Sequence, residues 1–404
     1  MRSLTLVLTS ICNLRCTYCY QDCRSGMTMD WETARSALDA LLQSHRRELQ
    51  LHLYGGEPLV AFPLFRRAVE YVRAATPEGR TLRIDTTTNG LLLDNEKIDF
   101  LAAHEIDVQV SFDGVPAAQD LRRAGSFRLL DERLQHVRRE WPAFFEDRLG
   151  IAITVTAANL SALGDSVDYF LDLGVPSVLL GPRLTHDPDW RPGHAREMRR
   201  QLARVCRLSR NHLRRTGSVP LRLFRKGRGQ ASPRTQRTRM CGVGSVGSLV
   251  VDVDGSVYGC VLFARSYQRL DSPALRRWIA PLSGGRFDDH WLARRLRAVR
   301  ARLRRSALFT CWDQKRSGHG RCAHCPERAR CAVCPVSIAH VHGNDDPHRV
   351  PDLPCAFFRS AGPHIRHFPV QPTEADRLSG RVNPPEMLRE LLAVNRQRLR
   401  NGRG

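Results

Sequence analysis

Short β-rich runs alternate with longer segments of helical spacing through about residue 182, a pattern that predicts βα units around a parallel sheet. Six such units can be counted. β-favouring runs predict strands at Leu4 to Thr9, Leu49 to Tyr54, Leu82 to Thr87, Asp107 to Phe112, Ile151 to Thr156 and Ser177 to Leu180. Between them, Trp31 to His45, Phe62 to Ala75, Asn95 to Ala103 and Leu160 to Leu173 carry apolar residues at helical spacing, which gathers them on one buried face.

Beyond this region the pattern changes. From Trp190 to Met240 sixteen lysines and arginines stand against a single acid, Glu197. Arg196 to Leu213 fits a basic helix, and Lys226 to Gln236, rich in Gly, Ser, Pro and Arg, fits a connector. The expected divisions are a core at 1–182, the basic helix and linker at 183–240, a cysteine-rich domain at 241–360 and a basic tail at 361–404. In the tail, Met387, Leu388, Leu391, Leu392 and Leu399 predict an amphipathic helix from about Pro385 to Arg400.

Composition sharpens the picture in two places. The formal net charge of +22 suits an acidic partner such as a peptide, a nucleic acid or a membrane surface, and equally a solvated arginine-rich face. The thirteen cysteines exceed what packing needs. With no basic stretch and long apolar run at the N-terminus, no signal peptide is expected, and no apolar run approaches the roughly 20 residues of a membrane helix. The expectation is a cytoplasmic protein with no membrane partner, where thiols stay reduced and metal binding explains them better than disulfides.

The first strand runs almost straight into Cys12-Asn-Leu-Arg-Cys16-Thr-Tyr-Cys19, three thiols on one loop. Three local thiolates leave one corner of an iron-sulfur cubane free for another ligand, while a three-ligand zinc site is the competing possibility. The spacing resembles the C-x3-C-x2-C signature of the radical S-adenosylmethionine (SAM) superfamily, with Tyr18 before the last cysteine. Gly55-Gly56-Glu57-Pro58, after the second strand, is similar to that family's segment whose backbone binds the methionine amino group. Glycine there lets the backbone approach a ligand. Thr86 to Gly90 ends the third strand, and Ser111-Phe112-Asp113-Gly114 ends the fourth, followed by Arg122 and Arg123.

The resemblance places Ser111 and Arg123 at the SAM carboxylate, Asn89 nearby and Tyr18 against the adenine, with Arg122 an alternative register and the role of Asp113 open. Each motif alone could be an ordinary βα turn. All four fall at strand C-terminal ends, where barrel folds place their chemistry. The implied fold is α/β, a partial (β/α)6 TIM-like barrel.

The C-terminal cysteines form a second pattern: Cys241, Gly255 and Cys260, then Cys322-x2-Cys325-x5-Cys331-x2-Cys334, then Cys355. It resembles the SPASM iron-sulfur domain, one residue short before Cys334. Val251 to Tyr258 predicts a β-hairpin with an Asp-Gly turn. The resemblance implies that Cys322, Cys325, Cys331 and Cys355 hold one auxiliary 4Fe-4S cluster. It assigns Cys241, Cys260 and Cys334 to another, which Cys311 could complete. Zinc remains open for the C-x2-C pairs taken alone. Cys23 is expected to be a loop thiol and Cys206 a packing residue on a helix face.

SPASM proteins mature ribosomal peptides and proteins, so the resemblance implies a radical SAM enzyme with three 4Fe-4S clusters. It would cleave SAM to a 5'-deoxyadenosyl radical and oxidatively modify a polypeptide, drawing electrons from a reductant such as flavodoxin or ferredoxin. Sulfatase-maturating relatives carry a catalytic Asp after the second SPASM cysteine. Here Val261 stands there, which favours a cross-link or thioether over formylglycine formation. Because the first strand starts close to Met1, leader recognition is expected to need a separate leader-binding protein, and the basic helix could attract an acidic leader. His186, Asp187 and Asp189, after the sixth strand, are candidates for proton handling or a turn and cap. Two rival functions are nucleic-acid or nucleotide modification, supported only by charge, and a non-catalytic iron-sulfur electron carrier, which leaves the strand-end motifs unused.

Overall fold

The structure is a computed structural model that describes residues 1–21, 25–225, 248–267, 273–287, 292–309, 312–328, 331–341 and 343–369. Cys23, Cys241, Cys311 and the expected tail helix lie outside the described residues. The elements begin β1 (Ser3–Thr9), α1 (Trp31–Leu42), β2 (Glu48–Gly55), α2 (Phe62–Ala75), β3 (Thr81–Thr88), α3 (Asn95–Ala103) and β4 (Asp107–Ser111). They continue with α4 (Pro116–Gln119), α5 (Ser126–Glu140), α6 (Pro142–Arg148), β5 (Leu149–Val155), α7 (Leu163–Asp172), β6 (Val178–Pro182) and α8 (His194–Thr216). The C-terminal part adds β7 (Ser248–Val251), β8 (Val257–Tyr258), α9 (Pro273–Trp278), α10 (Leu292–Arg305), β9 (Arg316–Ser317), β10 (Gly320–Arg321), α11 (Val336–Ala339) and α12 (Asp352–Arg366).

All six expected strands form, and they pair in parallel in chain order from β1 to β6. This is the α/β TIM-like architecture the residue pattern implied. The sheet alternates along each strand. On β2, Leu49, Leu51 and Leu53 are fully buried, while His52 and Tyr54 on the other face are only half-buried. The apolar face packs under helices, among them Ala37, Leu38 and Leu41 of α1 and Phe65, Val69 and Val72 of α2. Each such leucine, valine or phenylalanine contributes about 1.5–3 kcal/mol when fully buried. The inner face, with His52, Asp85, Gln109, Ser111 and Thr154, retains exposure and polarity.

Between β4 and β5 stand α5 and α6, where the pattern above assigns no helix. Leu130, Leu134 and Val137 form the buried stripe of α5. The segment expected as one helix at Leu160 to Leu173 begins with a 3-10 turn at Leu160–Ala162 before α7. The basic helix forms as α8 and runs slightly past its expected ends; it buries Met198, Leu202, Val205 and Cys206 in the main core. Cys206 is thus a packing residue.

The hairpin forms too. β7 and β8 pair antiparallel around a loop in which Gly255 takes φ 79°, and β7 also pairs in parallel with β1. The sheet therefore reads β6-β5-β4-β3-β2-β1-β7-β8, extending past the barrel's first strand. A second core, including Val7, Tyr258, Phe263, Tyr267, Trp278, Phe309 and Ile338, lies on that side.

Candidate functional site

The thiol loop is closed at its base. Thr9 and Thr28 form an antiparallel bridge, Ser10 N–H donates to the Met27 carbonyl at 2.9 Å, and Met29 N–H donates to that of Leu8 at 2.8 Å. Buried Leu14 anchors the loop from below, leaving Cys12, Cys16 and Cys19 half-buried at the mouth of the barrel. Several N–H groups turn to their sulfurs: Leu14 to Cys12 and Gln21 to Cys19, both at 3.4 Å, Asn89 Nδ2 to Cys12 at 3.8 Å and Arg122 Nε to Cys16 at 3.4 Å. Donors aimed at sulfur suit cluster-bound thiolates, whose potential such bonds tune. Burial pushes the bare Cys12 thiol up, so an electropositive core that takes the thiolate relieves that cost.

Gly55 and Gly56 let this loop pass against β2. A Cβ on Gly55 would stand 2.6 Å from the Thr9 carbonyl oxygen, and one on Gly56 would stand 2.4 Å from that of Ile11. The Gly56 and Glu57 N–H groups donate to the Thr9 and Ile11 carbonyls at 2.8 and 2.9 Å. What this backbone can still offer an ammonium group is carbonyl oxygen. Glu57, fully buried, accepts from Thr88 Oγ1 at 2.8 Å, from Asn89 N–H at 2.7 Å and from Leu59 N–H at 3.1 Å, fastening the ends of β2 and β3 together. Burial raises its carboxyl, and those three bonds only partly offset the rise. Pro58, buried, opens the 3-10 turn that follows.

Asn89 reaches from β3 to the loop through Asn13 Oδ1 at 2.6 Å. The Asp113 carboxylate, at the end of β4, accepts from the Tyr18 hydroxyl and from Thr154 N–H at 2.9 Å. It thereby ties the thiol loop to β5. Tyr18 is buried, with the Arg122 guanidinium 5.6 Å from its ring centroid. Arg122 also donates to the Ser111 carbonyl at 2.6 Å, whereas Arg123 is exposed. Arg122, the alternative register, is directed inward by the turn after α4, beside Ser111 and Cys16.

Asp187 is buried, accepting from Ala157 N–H at 2.8 Å and Asp189 N–H at 3.1 Å, as a turn fastener does. Residues the motifs missed stand on the inner wall: His52 Nδ1 donates to Asp85, whose other oxygen accepts from Gln50 at 2.9 Å. Burial works to raise the Asp85 carboxyl, but these two donors hold it below the usual range. A polar residue alternating with buried leucines along β2 was the available signal. Above them, Tyr267 of the second core stacks on Tyr20 at 5.5 Å and donates to the Gly55 carbonyl at 2.8 Å.

In the C-terminal part, Cys322, Cys325, Cys331 and Cys355 line one pocket, a cavity of only about 30 Å³. Short turns bring the first three together, and α12 brings the fourth. Burial, then the charges of neighbouring thiolates, pushes Cys322 to about 11 and Cys331 to about 12. Arg359 donates to Cys325 Sγ at 3.8 Å. The turn is braced by buried Lys315, whose Nζ donates to the carbonyls of Ala307, Leu308 and Pro347 at 2.7–3.0 Å. Among the described residues no three His, Cys, Asp or Glu side chains converge on a single-ion site. The four thiols line one pocket and lie close enough for their charges to raise one another. Cys260 and Cys334 both border the second core.

The sequence model described as the radical SAM superfamily matches residues 6–160, which hold the thiol loop and the first strand ends. Residues 6–160 thus carry a radical SAM domain. It is 30% identical over 189 residues to an uncharacterised protein of Methanocaldococcus jannaschii, covering 45% of this chain and 64% of that protein. It is also 30% identical over 203 residues to a tungsten-containing aldehyde ferredoxin oxidoreductase cofactor-modifying protein of Pyrococcus furiosus, covering 47% and 53%. The chain thus spans between half and two thirds of these relatives. In fold it is similar to native anSMEcpe with bound AdoMet and Kp18Cys peptide, with a TM-score of 0.66, 19% identity and coverage of 90% and 98%. The cofactors of a radical SAM protein, a 4Fe-4S cluster and SAM, fit the thiols, sulfur-directed donors and strand-end residues gathered here. No helix among the described residues is long and apolar enough to cross a membrane.

Proposed function

We propose that this radical SAM protein oxidatively modifies a ribosomally made peptide or protein, forming a cross-link, a thioether or a similar bond. The observation that carries the reading is the cavity lined by Cys322, Cys325, Cys331 and Cys355, a complete four-thiol site in the same chain as the three-thiol loop. A fold neighbour whose structure holds AdoMet and a peptide supports a polypeptide substrate. Cys12, Cys16 and Cys19 would hold the SAM-binding cluster. Cys260 and Cys334, with Cys241 and Cys311, would hold the second auxiliary cluster.

When bound and reduced by flavodoxin or ferredoxin, cluster and SAM supply the hydrogen-abstracting radical chemistry. The chain does the positioning. Asn89, Ser111 and Arg122 border the space for the cofactor's polar end, and Glu57 keeps two strand ends in register beneath it. Valine at position 261 cannot take a proton, and the inner wall offers His52 instead, its Nδ1 held by Asp85.

Anaerobic reconstitution tests the assignment: about twelve irons per chain are expected, and about eight once Cys12, Cys16 and Cys19 are all replaced by Ala. With dithionite the reconstituted protein releases 5'-deoxyadenosine from SAM. A co-expressed substrate peptide then shows a loss of about two mass units, the signature of a two-electron oxidation. Iron near four per chain, or no nucleoside release, refutes the reading.

A further inference from the structure

We propose that the outer face of α8 is a docking strip for an acidic polypeptide segment; this rests on the polypeptide-substrate reading and identifies the charge class of that partner. Seven of the eight arginines of α8 fall into two sets, while half-buried Arg210 donates to the His367 carbonyl at 2.7 Å. Those turned towards α7 are matched by acids: Arg204 pairs with Asp165 at 2.5 Å, and Arg215 lies 3.9 Å from Asp172. On the outer face, Arg200 pairs with Glu197 at 2.9 Å, and Glu197 is the helix's single acid. Arg196, Arg199, Arg207 and Arg214 are exposed, with no ion pair among the described residues.

At about 100° per residue, Arg196, Arg207 and Arg214 fall within roughly 20° of one another, with Arg199 about 60° to one side. They form a strip rather than a scatter. From Arg196 to Arg214 the rise is about 27 Å, the span of about eight residues of extended chain. Like charges along one helix face repel. Burial of Met198, Leu202 and Val205 keeps the helix in place despite that cost, and a line of carboxylates would remove it.

Two observations direct the strip towards a peptide. At its first turns Arg199 meets Arg359 of α12 and His319 across a cleft, and His319 and Arg359 also line the four-thiol cavity. A chain lying on the strip is thereby led to the cysteine-rich domain and the barrel mouth. In addition, His194–Thr216 contains no Phe, Tyr or Trp, so the strip lacks the stacking platforms that hold single-stranded nucleic acid.

The test uses the full-length protein and fluorescein-labelled polyglutamate, read by fluorescence anisotropy. Substituting Arg196, Arg199, Arg207 and Arg214 together by Glu is expected to weaken binding roughly tenfold or more, and added salt to release the probe from the wild type. A control replaces exposed Arg138, Arg139, Arg276 and Arg277 by Glu, the same change in net charge elsewhere, and keeps near-wild-type binding. Equal losses in both variants mean that only net charge matters, and overturn the strip. Tighter binding of a single-stranded RNA, lost with the same four arginines, also overturns it, in favour of a nucleic acid. A milder variant with Gln at the four positions guards against misfolding. Both strip variants should release 5'-deoxyadenosine from SAM at the wild-type rate. If the wild type releases none, the radical SAM function fails independently of the strip.

Discussion

Gly56 shows how much depends on a missing side chain. Its Cα faces the Ile11 carbonyl so closely that a methyl group would sit 2.4 Å from the oxygen, and that backbone cannot yield without moving the thiol loop. Gly56→Ala is therefore expected to lose the N-terminal cluster, about four irons per chain, while the four-thiol site stays loaded; iron analysis after reconstitution checks this. The need for glycine was legible in the motif. Which atom it must accommodate was not, because Ile11 meets it only when β1 and β2 pair. The same holds for Arg122 and Arg123. Adjacent arginines are equivalent on paper, and only the turn after α4 sends one towards Cys16 and the other into solvent.

Elements were legible where periodicity was strong and unequal where it was local. Helix α1 is capped by Asp30, which accepts from Thr33 N–H at 2.8 Å; this bond and one from the Thr33 hydroxyl hold its carboxyl below the usual range. Asp30→Ala should cost about 1 kcal/mol, read as a lower urea midpoint with an unchanged slope. Helix α3 is capped the same way by Asp94. Helix α5 has no capping side chain and starts after Gly125 at φ 73°, and its buried stripe is flanked by charge, so nothing marked its entry. Helix α12 carries a proline and a cysteine ligand candidate in one amphipathic segment, and its identity comes from packing against α8 and the barrel.

Among the described residues the two cores meet along the β1–β7 pairing, through α12 and through aromatic contacts. β7 extends the barrel sheet beside β1, and Tyr267 reaches from the second core to the Gly55 carbonyl at 2.8 Å while stacking on Tyr20. Tyr267→Phe removes one hydrogen bond and should cost about 1 kcal/mol. Tyr267→Ala also empties a fully buried site and should cost roughly 3–5 kcal/mol, both measured by chemical denaturation. If Ala costs no more than Phe, the ring does not bind the two cores together.

The chain's own pattern carried the six βα strands, the thiol spacings and the hairpin, because periodicity and turn residues act over a few positions. It could not carry the union of β7 with β1, the inward turn of Arg122, or the His52–Asp85 pair on the inner wall. Those contacts join residues tens or hundreds of positions apart. They arise only when burial of the two apolar cores brings distant segments together, and hydrogen bonding then selects which polar groups meet.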